Sequence, residues 1–374
     1  MKVKHNLLLL TIFFVLFISC TRQEIVWSPG VAFPKENIKI GVIHPNEIFS
    51  DSLFDQAHYE GTLEMQRIIG LGDNQIIRKT NIFSGDPIAS EGAIRDSIAE
   101  GANLIIAMSW GYMNVCERLA AEFPGVVFAH ATGTRHNDRN FANYSIRLYQ
   151  ARYLSGIVAG LKTQTNRIGF VAAMDIRNSE VTSSVNAFAM GVASVNPDAR
   201  VYVQVTHSWY DPMGETNAAN ALIAAGCDVI TSHANTPAAQ MAAQRAGVWA
   251  IGYNADMSAV APEAIISSVV LNWGVLYTSF VQNIVNGTFI PQTHFYGLAE
   301  GAIDITPLAR GLAPEGAKEA VLAARNRMLY EGFNIFDGVI ETNDGRFIGE
   351  IGGTLSDEII LSGINWYYRT VIEL

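Results

Sequence analysis

Three short stretches in the second half of the sequence combine aromatic, amide and acidic side chains, which are the groups that bind an organic molecule. They read HSWYD at 207–211, SHAN at 232–235 and NAD at 254–256. Each stretch follows a run of residues typical of a strand, and Ala-rich segments with helical spacing separate the runs. Because ligands bind outside the carboxyl ends of parallel strands, we expect the three stretches to meet at one edge of a sheet. Together they would suit a flat molecule that forms hydrogen bonds.

The elements that must position these residues are strand–helix units, and they repeat in two blocks. The first block runs to about residue 148 and has predicted loops after its strands at 50–55, 83–89 and 109–113. The second block begins with a strongly apolar helix over 149–163 and contains the three stretches. No long linker separates the blocks. The pattern therefore predicts an α/β protein of two doubly wound lobes joined by short crossing segments.

Composition and motifs limit the classes of protein to which the chain can belong. Its 374 residues suit two domains, and 49% apolar residues provide ample material for their cores. The formal net charge of −10 argues against binding nucleic acid or anionic membranes through a basic patch. The eight histidines include no pair four residues apart, and no zinc-protease, Walker A or dinucleotide-binding motif occurs. We therefore predict no metal, no cofactor and no catalytic residues.

The first twenty residues have the pattern of a bacterial lipoprotein signal. A basic start precedes a strongly apolar run over 7–18, which is too short to span a bilayer but suits a secretory signal. Ser19 then precedes Cys20. The pattern predicts a signal peptide over 1–19, a lipid-modified Cys20 and a tether over 20–36. The alternative is an ordinary secretory leader that contains an incidental cysteine.

Eight stretches of the sequence occur in the order and at the spacing of a known family. They are AHYEG (57–61), SWGYMNV (109–115), AAEFPGVVFAHATG (120–133), ARYLSGIVAGLKTQTNRIGFVAA (151–173), NAFAMGVASVNPDA (186–199), SWYDPMGETNAANALIAAGCDVI (208–230), AIGYNADMS (250–258) and NWGVLYTSFVQ (272–282). On these motifs, residues 38–370 resemble the basic membrane protein (BMP) family of bacterial solute-binding lipoproteins. The resemblance implies a type I periplasmic-binding-protein-like fold, in which crossover strands join two α/β lobes and the ligand lies in the cleft between them. Lobe I is expected over 37–148 and 272–330, and lobe II over 149–271 and 331–374.

The resemblance also implies two aromatic residues that hold the ligand. Phe54 lies in a segment similar to the family segment whose phenylalanine stacks on a purine base, and Trp209 matches the aromatic residue on the opposite face. Stacking on a base contributes about 1–3 kcal/mol and tolerates any purine. The alternatives are a core position at a helix start for Phe54 and burial at a strand end for Trp209. Trp110 and Trp273 are further candidates for the cleft, with packing at a lobe boundary as their alternative.

Four polar residues complete the expected site. Asp256 matches a family aspartate that accepts hydrogen bonds from the ligand, and the alternative is a cap for the turn at 257–258. Asn254 and Asn235 stand where relatives often have aspartate. Asn254 weakens the case for a ribose clamp, which leaves the free base open, and Asn235 could bind a base edge or cap a helix. Asn46 follows the first strand, where nucleoside-binding relatives place an aspartate near the base, and its loop departs from the family.

The predicted function is that of a substrate-binding lipoprotein of an ABC importer, specific for a purine nucleoside or purine base and not an enzyme. The expected partners are the permease, the ATPase and the membrane through a lipid on Cys20, at the periplasmic or extracellular face, and nucleic acid is not one of them. One alternative is a ligand-binding sensor or surface lipoprotein without a transporter. Another is a nucleoside-cleaving enzyme, which is disfavoured because no cluster of aspartates follows the first strand.

Overall fold

The computed structural model describes residues 27–48 and 50–374, so the predicted signal peptide, Cys20 and the first part of the tether lie outside the described residues. The helices are α1 (Leu53–Ile69), α2 (Pro87–Ala99), α3 (Met113–Glu122), α4 (Leu148–Lys162), α5 (Ser179–Val195), α6 (Pro212–Ala224), α7 (Ala238–Arg245), α8 (Trp273–Asn286), α9 (Ala317–Tyr330) and α10 (Asp357–Ser362). The strands are β1 (Ile40–Ile43), β2 (Ile76–Lys79), β3 (Leu104–Ala107), β4 (Val127–Ala131), β5 (Phe141–Ile146), β6 (Arg167–Ala172), β7 (Arg200–Val205), β8 (Val229–His233), β9 (Trp249–Gly252), β10 (Ile265–Leu271), β11 (Thr293–Tyr296), β12 (Ile303–Ile305), β13 (Ile340–Glu341), β14 (Phe347–Ile348) and β15 (Val371–Glu373).

The first sheet has six parallel strands in the order β11-β5-β4-β3-β1-β2. Strands β1, β3 and β4 are buried at every residue, which explains their largely apolar sequences. Strand β5 is also fully buried, although it contains polar residues and was not predicted from the sequence. The side chain of Asn143 in β5 donates to Arg135 O and to Thr293 Oγ1, at 3.2 and 2.9 Å. These hydrogen bonds allow a polar residue inside a central strand.

The second sheet has seven strands in the order β12-β10-β9-β8-β6-β7-β15. All of its pairs are parallel except β10–β12. The three polar stretches of the sequence follow β7, β8 and β9, so they lie at one edge of this sheet. The prediction of two α/β lobes with parallel sheets is confirmed.

The chain crosses between the two sheets three times. It passes from β5 to β6 through α4, from β10 to α8, which packs on α1, and from β11 to β12. Strand β12 pairs with β10, with Ile305 opposite Val269, and α9 packs against α4. Residues 303–330 therefore lie with the second sheet and not with lobe I, whose predicted range ends at residue 330. The difference arises because the third crossing precedes β12.

Helix α10 lies beside the first crossing and is held there by an ion pair. Both guanidinium NH groups of Arg147 donate to the carboxylate of Asp357, at 2.5 and 2.6 Å. Arg147 directly precedes α4, so the pair fixes the C-terminal helix next to the segment that joins the lobes. Within the described residues, no helix has both the length and the apolar character needed to cross a membrane.

Helices α4 and α5 form the closest helix pair of the second lobe, and glycine makes their approach possible. A Cβ atom on Gly191 would lie 2.1 Å from the Tyr153 carbonyl oxygen, and one on Gly156 would lie 2.1 Å from the Phe188 carbonyl oxygen. The backbones of α4 and α5 are therefore in direct contact at both glycines. This packing sets the position of the first turn of α5, which faces the gap between the lobes.

Gly191→Ala should lower the free energy of unfolding by roughly 1–3 kcal/mol, because the added methyl group overlaps backbone atoms that cannot rotate away. Gly92→Ala in α2 is the matched control, since a Cβ there meets no atom within 4 Å and alanine favours the helix. Urea denaturation of both variants and the wild type measures the effect. A Gly191→Ala midpoint at or above that of the wild type would contradict the close packing.

Candidate functional site

A cavity of about 810 Å³ lies between the two lobes, at the carboxyl ends of both sheets. Five of the eight residues expected in the site contribute to its wall: Asn46, Phe54, Trp110, Trp209 and Asn235. A volume of this size lies within the range typical of pockets for small organic molecules. The structure thus brings residues of both sequence blocks to one cavity.

Phe54 reaches the cavity from the first turn of α1 in the first lobe. Ser52 caps this helix, and its Oγ accepts a hydrogen bond from Asp55 N at 3.5 Å. The Phe54 ring packs edge-on against His58 and Trp273, with ring centroids 4.3 and 6.3 Å away. These contacts support the ring, which also contributes to the cavity wall.

Trp273 lies behind Phe54 and not on the cavity wall. Its side chain is 2% exposed, and its ring stacks on that of His58 with centroids 4.1 Å apart. It starts α8, whose apolar face packs on α1. The structure therefore assigns Trp273 to packing between these helices, because the indole is covered on the side where a ligand would have to approach.

Trp209 reaches the cavity from the second lobe, in the loop between β7 and α6. Its carbonyl oxygen accepts a hydrogen bond from Asn235 N at 2.9 Å, and its ring lies 5.8 Å from the His233 ring. Asp211 caps α6 through Gly214 N at 2.9 Å, so the helix starts directly after the loop. His207, which also lines the cavity, has a φ of 55°, a backbone conformation that is strained for a residue with a side chain.

The amide group of Asn46 is oriented by a carboxylate of its own lobe. Its Nδ2 donates to Asp55 Oδ2 at 2.8 Å, and its backbone N donates to Asp55 Oδ1 at 3.3 Å. Among the described residues, none donates a hydrogen bond to its Oδ1. Asn46 can therefore offer an acceptor to a molecule in the cavity.

Asn235 connects the two lobes through its backbone. Its carbonyl oxygen accepts a hydrogen bond from Leu53 N of the first lobe at 2.8 Å. Nearby, the Tyr210 hydroxyl of the second lobe bonds to the Asp51 carboxylate of the first. The side-chain amide of Asn235 lines the cavity and has no hydrogen bond to the described part of the chain, so it can serve as donor and acceptor.

Asp256 and Asn254 lie outside the cavity. Asp256 is exposed, and its Oδ1 accepts a hydrogen bond from Ser258 N at 2.9 Å, which makes it the cap of the following turn. Asn254 is buried with a φ of 69° and does not contribute to the cavity wall, and neither polar atom of its side-chain amide has a hydrogen-bond partner among the described residues. The structure thus supports the alternative in which Asp256 caps a turn. Trp110 is 59% exposed at the rim of the cavity.

Several residues of the wall were missed by the sequence interpretation, and Glu180, Arg177, Tyr253 and Thr132 are the main ones. Thr132 follows β4, and residues 174–180 follow β6. Thr132 also has a left-handed backbone, with a φ of 56°, which is rare for a β-branched residue. The signal that could have found them is the rule that strand ends carry the site, applied to every strand of both blocks.

The cavity wall has little net charge. Among the described residues of the wall, Arg177 and Glu180 are the ones with a permanent formal charge, and they have opposite signs. Arg177 pairs with Asp175 at 2.5 Å, and its guanidinium holds the pKa of that carboxyl at about 2. A phosphate group would require several unpaired cations. The cavity is therefore suited to an uncharged molecule. No cluster of three or more possible metal ligands occurs within the described residues.

Glu215 connects two of the polar stretches beneath the cavity wall. It lies in the first turn of α6, and its Oε2 accepts a hydrogen bond from Thr236 Oγ1 at 2.7 Å. Burial raises the pKa of its carboxyl to about 7, although the hydrogen bond from Thr236 opposes the shift. The Glu215 carboxyl is therefore protonated more readily in the folded protein than in the unfolded chain.

Glu215→Gln should make the stability less dependent on pH between 5 and 8. Because the pKa rises from 4.5 to about 7 on folding, the stabilisation from protonated Glu215 is complete below pH 4.5 and is lost as the pH rises through about 7. Between pH 5 and 8, the free energy of unfolding of the wild-type protein should fall by up to roughly 3 kcal/mol more than that of Glu215→Gln. Urea denaturation at each pH measures the difference. Glu263→Gln, at an exposed position, is the control. Equal pH dependence in the wild type and Glu215→Gln would contradict the shift.

A family model and one relative match nearly the whole folded chain. Residues 38–332 match the model described as ABC transporter substrate-binding protein PnrA-like. The chain is 32% identical over 346 residues to a purine-binding protein of Brucella abortus, an alignment that covers 91% of this chain and 95% of the relative. It is also 34% identical over 252 residues to a putative ABC transporter glucose-binding protein of Haloferax volcanii, covering 67% of this chain and 63% of that protein.

Solved structures share the fold. An ABC transporter solute-binding protein from Conexibacter woesei superposes with a TM-score of 0.64 at 23% identity, covering 79% of this chain and 98% of the other. A transcriptional activator from Bacillus halodurans superposes with a TM-score of 0.68 at 18% identity, covering 79% and 99% of the two chains. These likenesses establish the two-lobed fold of periplasmic binding proteins. They do not separate transport from regulation.

Proposed function

Because the chain belongs to the Bmp family of PnrA-like ABC transporter substrate-binding proteins, we propose that its cavity binds a purine base or purine nucleoside. Family membership implies a small-molecule ligand and two protein partners, a membrane permease and an ATPase. It also implies a place on the periplasmic or extracellular side of the membrane. The identity of the ligand is the part that we propose.

The observation that carries the proposal is the position of two aromatic side chains. Phe54 of the first lobe and Trp209 of the second line the same cavity. Aromatic rings contributed by two lobes can hold a flat base between them when the lobes are together. Neighbouring packing supports both residues, because His58 and Trp273 contact Phe54 and His233 contacts Trp209.

Polar groups at the wall support the same ligand class. Asn46 offers an acceptor and the side chain of Asn235 offers both a donor and an acceptor. A purine carries ring nitrogens and N–H groups on its edges, so it can bond to both residues while it lies between the rings. An affinity in the micromolar range needs only about −8 kcal/mol, which two stacking contacts and a few hydrogen bonds can supply.

Phe54→Ala and Trp209→Ala should each weaken purine binding about 5- to 150-fold, because each removes one stacking contact. Calorimetric titration with adenine, hypoxanthine, guanine and their nucleosides measures the effect. Phe347→Ala, which removes a ring that is 68% exposed and remote from the cavity wall, should bind like the wild type.

Glucose belongs in the same titrations, since one relative is named for binding it. A wild-type protein that binds glucose and no purine would overturn the proposed ligand class. The proposal also implies that the protein releases its ligand chemically unchanged. Inosine incubated with the protein should therefore yield no hypoxanthine, and its cleavage would favour the nucleoside-cleaving alternative.

We also propose that Cys20, which lies outside the described residues, carries a lipid that anchors the protein. Two or more acyl chains hold a protein stably on a membrane, because each buried methylene contributes about 0.8 kcal/mol. In a bacterial host, wild-type protein should incorporate labelled palmitate and sediment with membranes, and Cys20→Ala should do neither. Cys116→Ala, which changes a buried cysteine, is the control. Membrane association that persists without label in Cys20→Ala would contradict lipid anchoring.

A further inference from the structure

We propose that Glu180 is the carboxylate that recognises the ligand, and that it accepts a hydrogen bond from an N–H group of a purine base. This inference rests on the proposed function, since it names a specificity-determining residue of the same cavity. Asp256, the carboxylate that the family resemblance predicts as an acceptor, lies in a turn outside the cavity wall.

The start of α5 holds Glu180 at the cavity. Asn178 caps the helix by accepting a hydrogen bond from Val181 N at 3.1 Å, and Ser179 Oγ donates to Ile364 O at 3.2 Å. Glu180 lies in the first turn between these two anchors. The C-terminal segment therefore helps to fix the turn that presents the carboxylate.

Glu180 lies where the two lobes and the C-terminal helix meet. It lines the main cavity and also a small cavity of about 20 Å³. Thr132 of the first lobe and Leu361 of α10 line both cavities as well. A donor group that enters this end of the main cavity therefore meets the carboxylate with protein on several sides, which limits competition from water.

Among the described residues, no hydrogen bond of ordinary length reaches the Glu180 carboxylate, although His233 lies close enough for the carboxylate to raise the pKa of its ring against the effect of burial. His233 Nε2 lies 3.7 Å from its Oε1, which is longer than a hydrogen bond. The same nitrogen shares a hydrogen bond with the Tyr253 hydroxyl at 2.8 Å, and burial lowers the pKa of His233, so the ring is neutral near pH 7. Glu180 thus retains acceptor capacity for a molecule in the cavity.

The charges around the cavity leave Glu180 without a neutralising partner on the wall. Arg177, three residues earlier, pairs with Asp175 instead. An N–H donor bonded to a carboxylate forms a charge-assisted hydrogen bond, roughly twice as strong as one between neutral groups. Purine bases carry such donors on the imidazole ring and on exocyclic amines. Sugar hydroxyls can also donate to a carboxylate, so the analogues of adenine, and not the carboxylate alone, identify the donor that Glu180 meets.

The test combines a variant of the protein with analogues of the ligand. Glu180→Gln keeps the size of the side chain and should weaken adenine binding about ten- to hundredfold. Purine lacks the exocyclic amine of adenine, and 9-deazaadenine has C–H at position 9 and carries its ring N–H at position 7 instead. Wild-type protein should bind the analogue that lacks the donor to Glu180 at least tenfold more weakly than it binds adenine. For Glu180→Gln, the corresponding loss of affinity should be at least threefold smaller. Such coupling reports the hydrogen bond, since a purely structural role of Glu180 would affect all ligands equally.

Calorimetry of the folded proteins measures these affinities, with Glu263→Gln as an exposed control outside the cavity wall. If the wild type binds adenine and Glu180→Gln binds it equally well, or if neither analogue shows coupling, the role of Glu180 is refuted and the proposed function stands. If the wild type binds none of the purines, the proposed function fails and the Glu180 proposal fails with it.

Discussion

The relative position of the two aromatic residues depends on the backbone of Asn235. Its N–H donates to the Trp209 carbonyl at 2.9 Å, and its carbonyl accepts from Leu53 N at 2.8 Å. Leu53 is the first residue of α1, where a backbone N–H has no partner inside the helix, and Phe54 follows it directly. One residue of the second lobe therefore holds the segments that carry both rings. These hydrogen bonds bring a strand end of one lobe to a helix start of the other, and both rings line the cavity there.

The hydrogen bond between Leu53 and Asn235 is weak compared with the packing inside each lobe. A neutral backbone hydrogen bond contributes only about 0.5–1.5 kcal/mol net, and water can replace either partner of the Leu53–Asn235 contact when the lobes separate. Within the second lobe, by contrast, Gly156 and Gly191 let α4 and α5 touch backbone to backbone. Separation of the two lobes would break the Leu53–Asn235 hydrogen bond and leave the α4–α5 packing intact. A molecule that contacts both of them shifts the balance toward the closed arrangement by its difference in affinity for the two states.

The sequence pattern predicted where the polar stretches lie, but not which way their side chains point. Trp209 and Asn235 follow buried strands and do line the cavity. Asn254 follows a strand as well, yet it is buried with a left-handed backbone, at a φ of 69°, and does not line the cavity. Asp256 then caps a turn. Trp273 lies on the buried apolar face of α8 with Leu276, Tyr277 and Phe280, and its burial follows from that periodicity. Motif similarity alone could not show these directions, because they depend on local dihedral angles.

Strand order explains the residues that the sequence interpretation missed. The pattern predicted β6, β7 and β8 as successive strands, but it contained no information about their order in the sheet. The observed order places β6 between β7 and β8. The segment after β6, which includes Glu180, must then emerge between the stretches that carry Trp209 and Asn235. A parallel α/β sheet with its first strand at the centre reverses direction there, and ligands bind at such a switch point. Glu180 therefore reaches the cavity because of topology, which pairing between distant strands determines and local sequence does not.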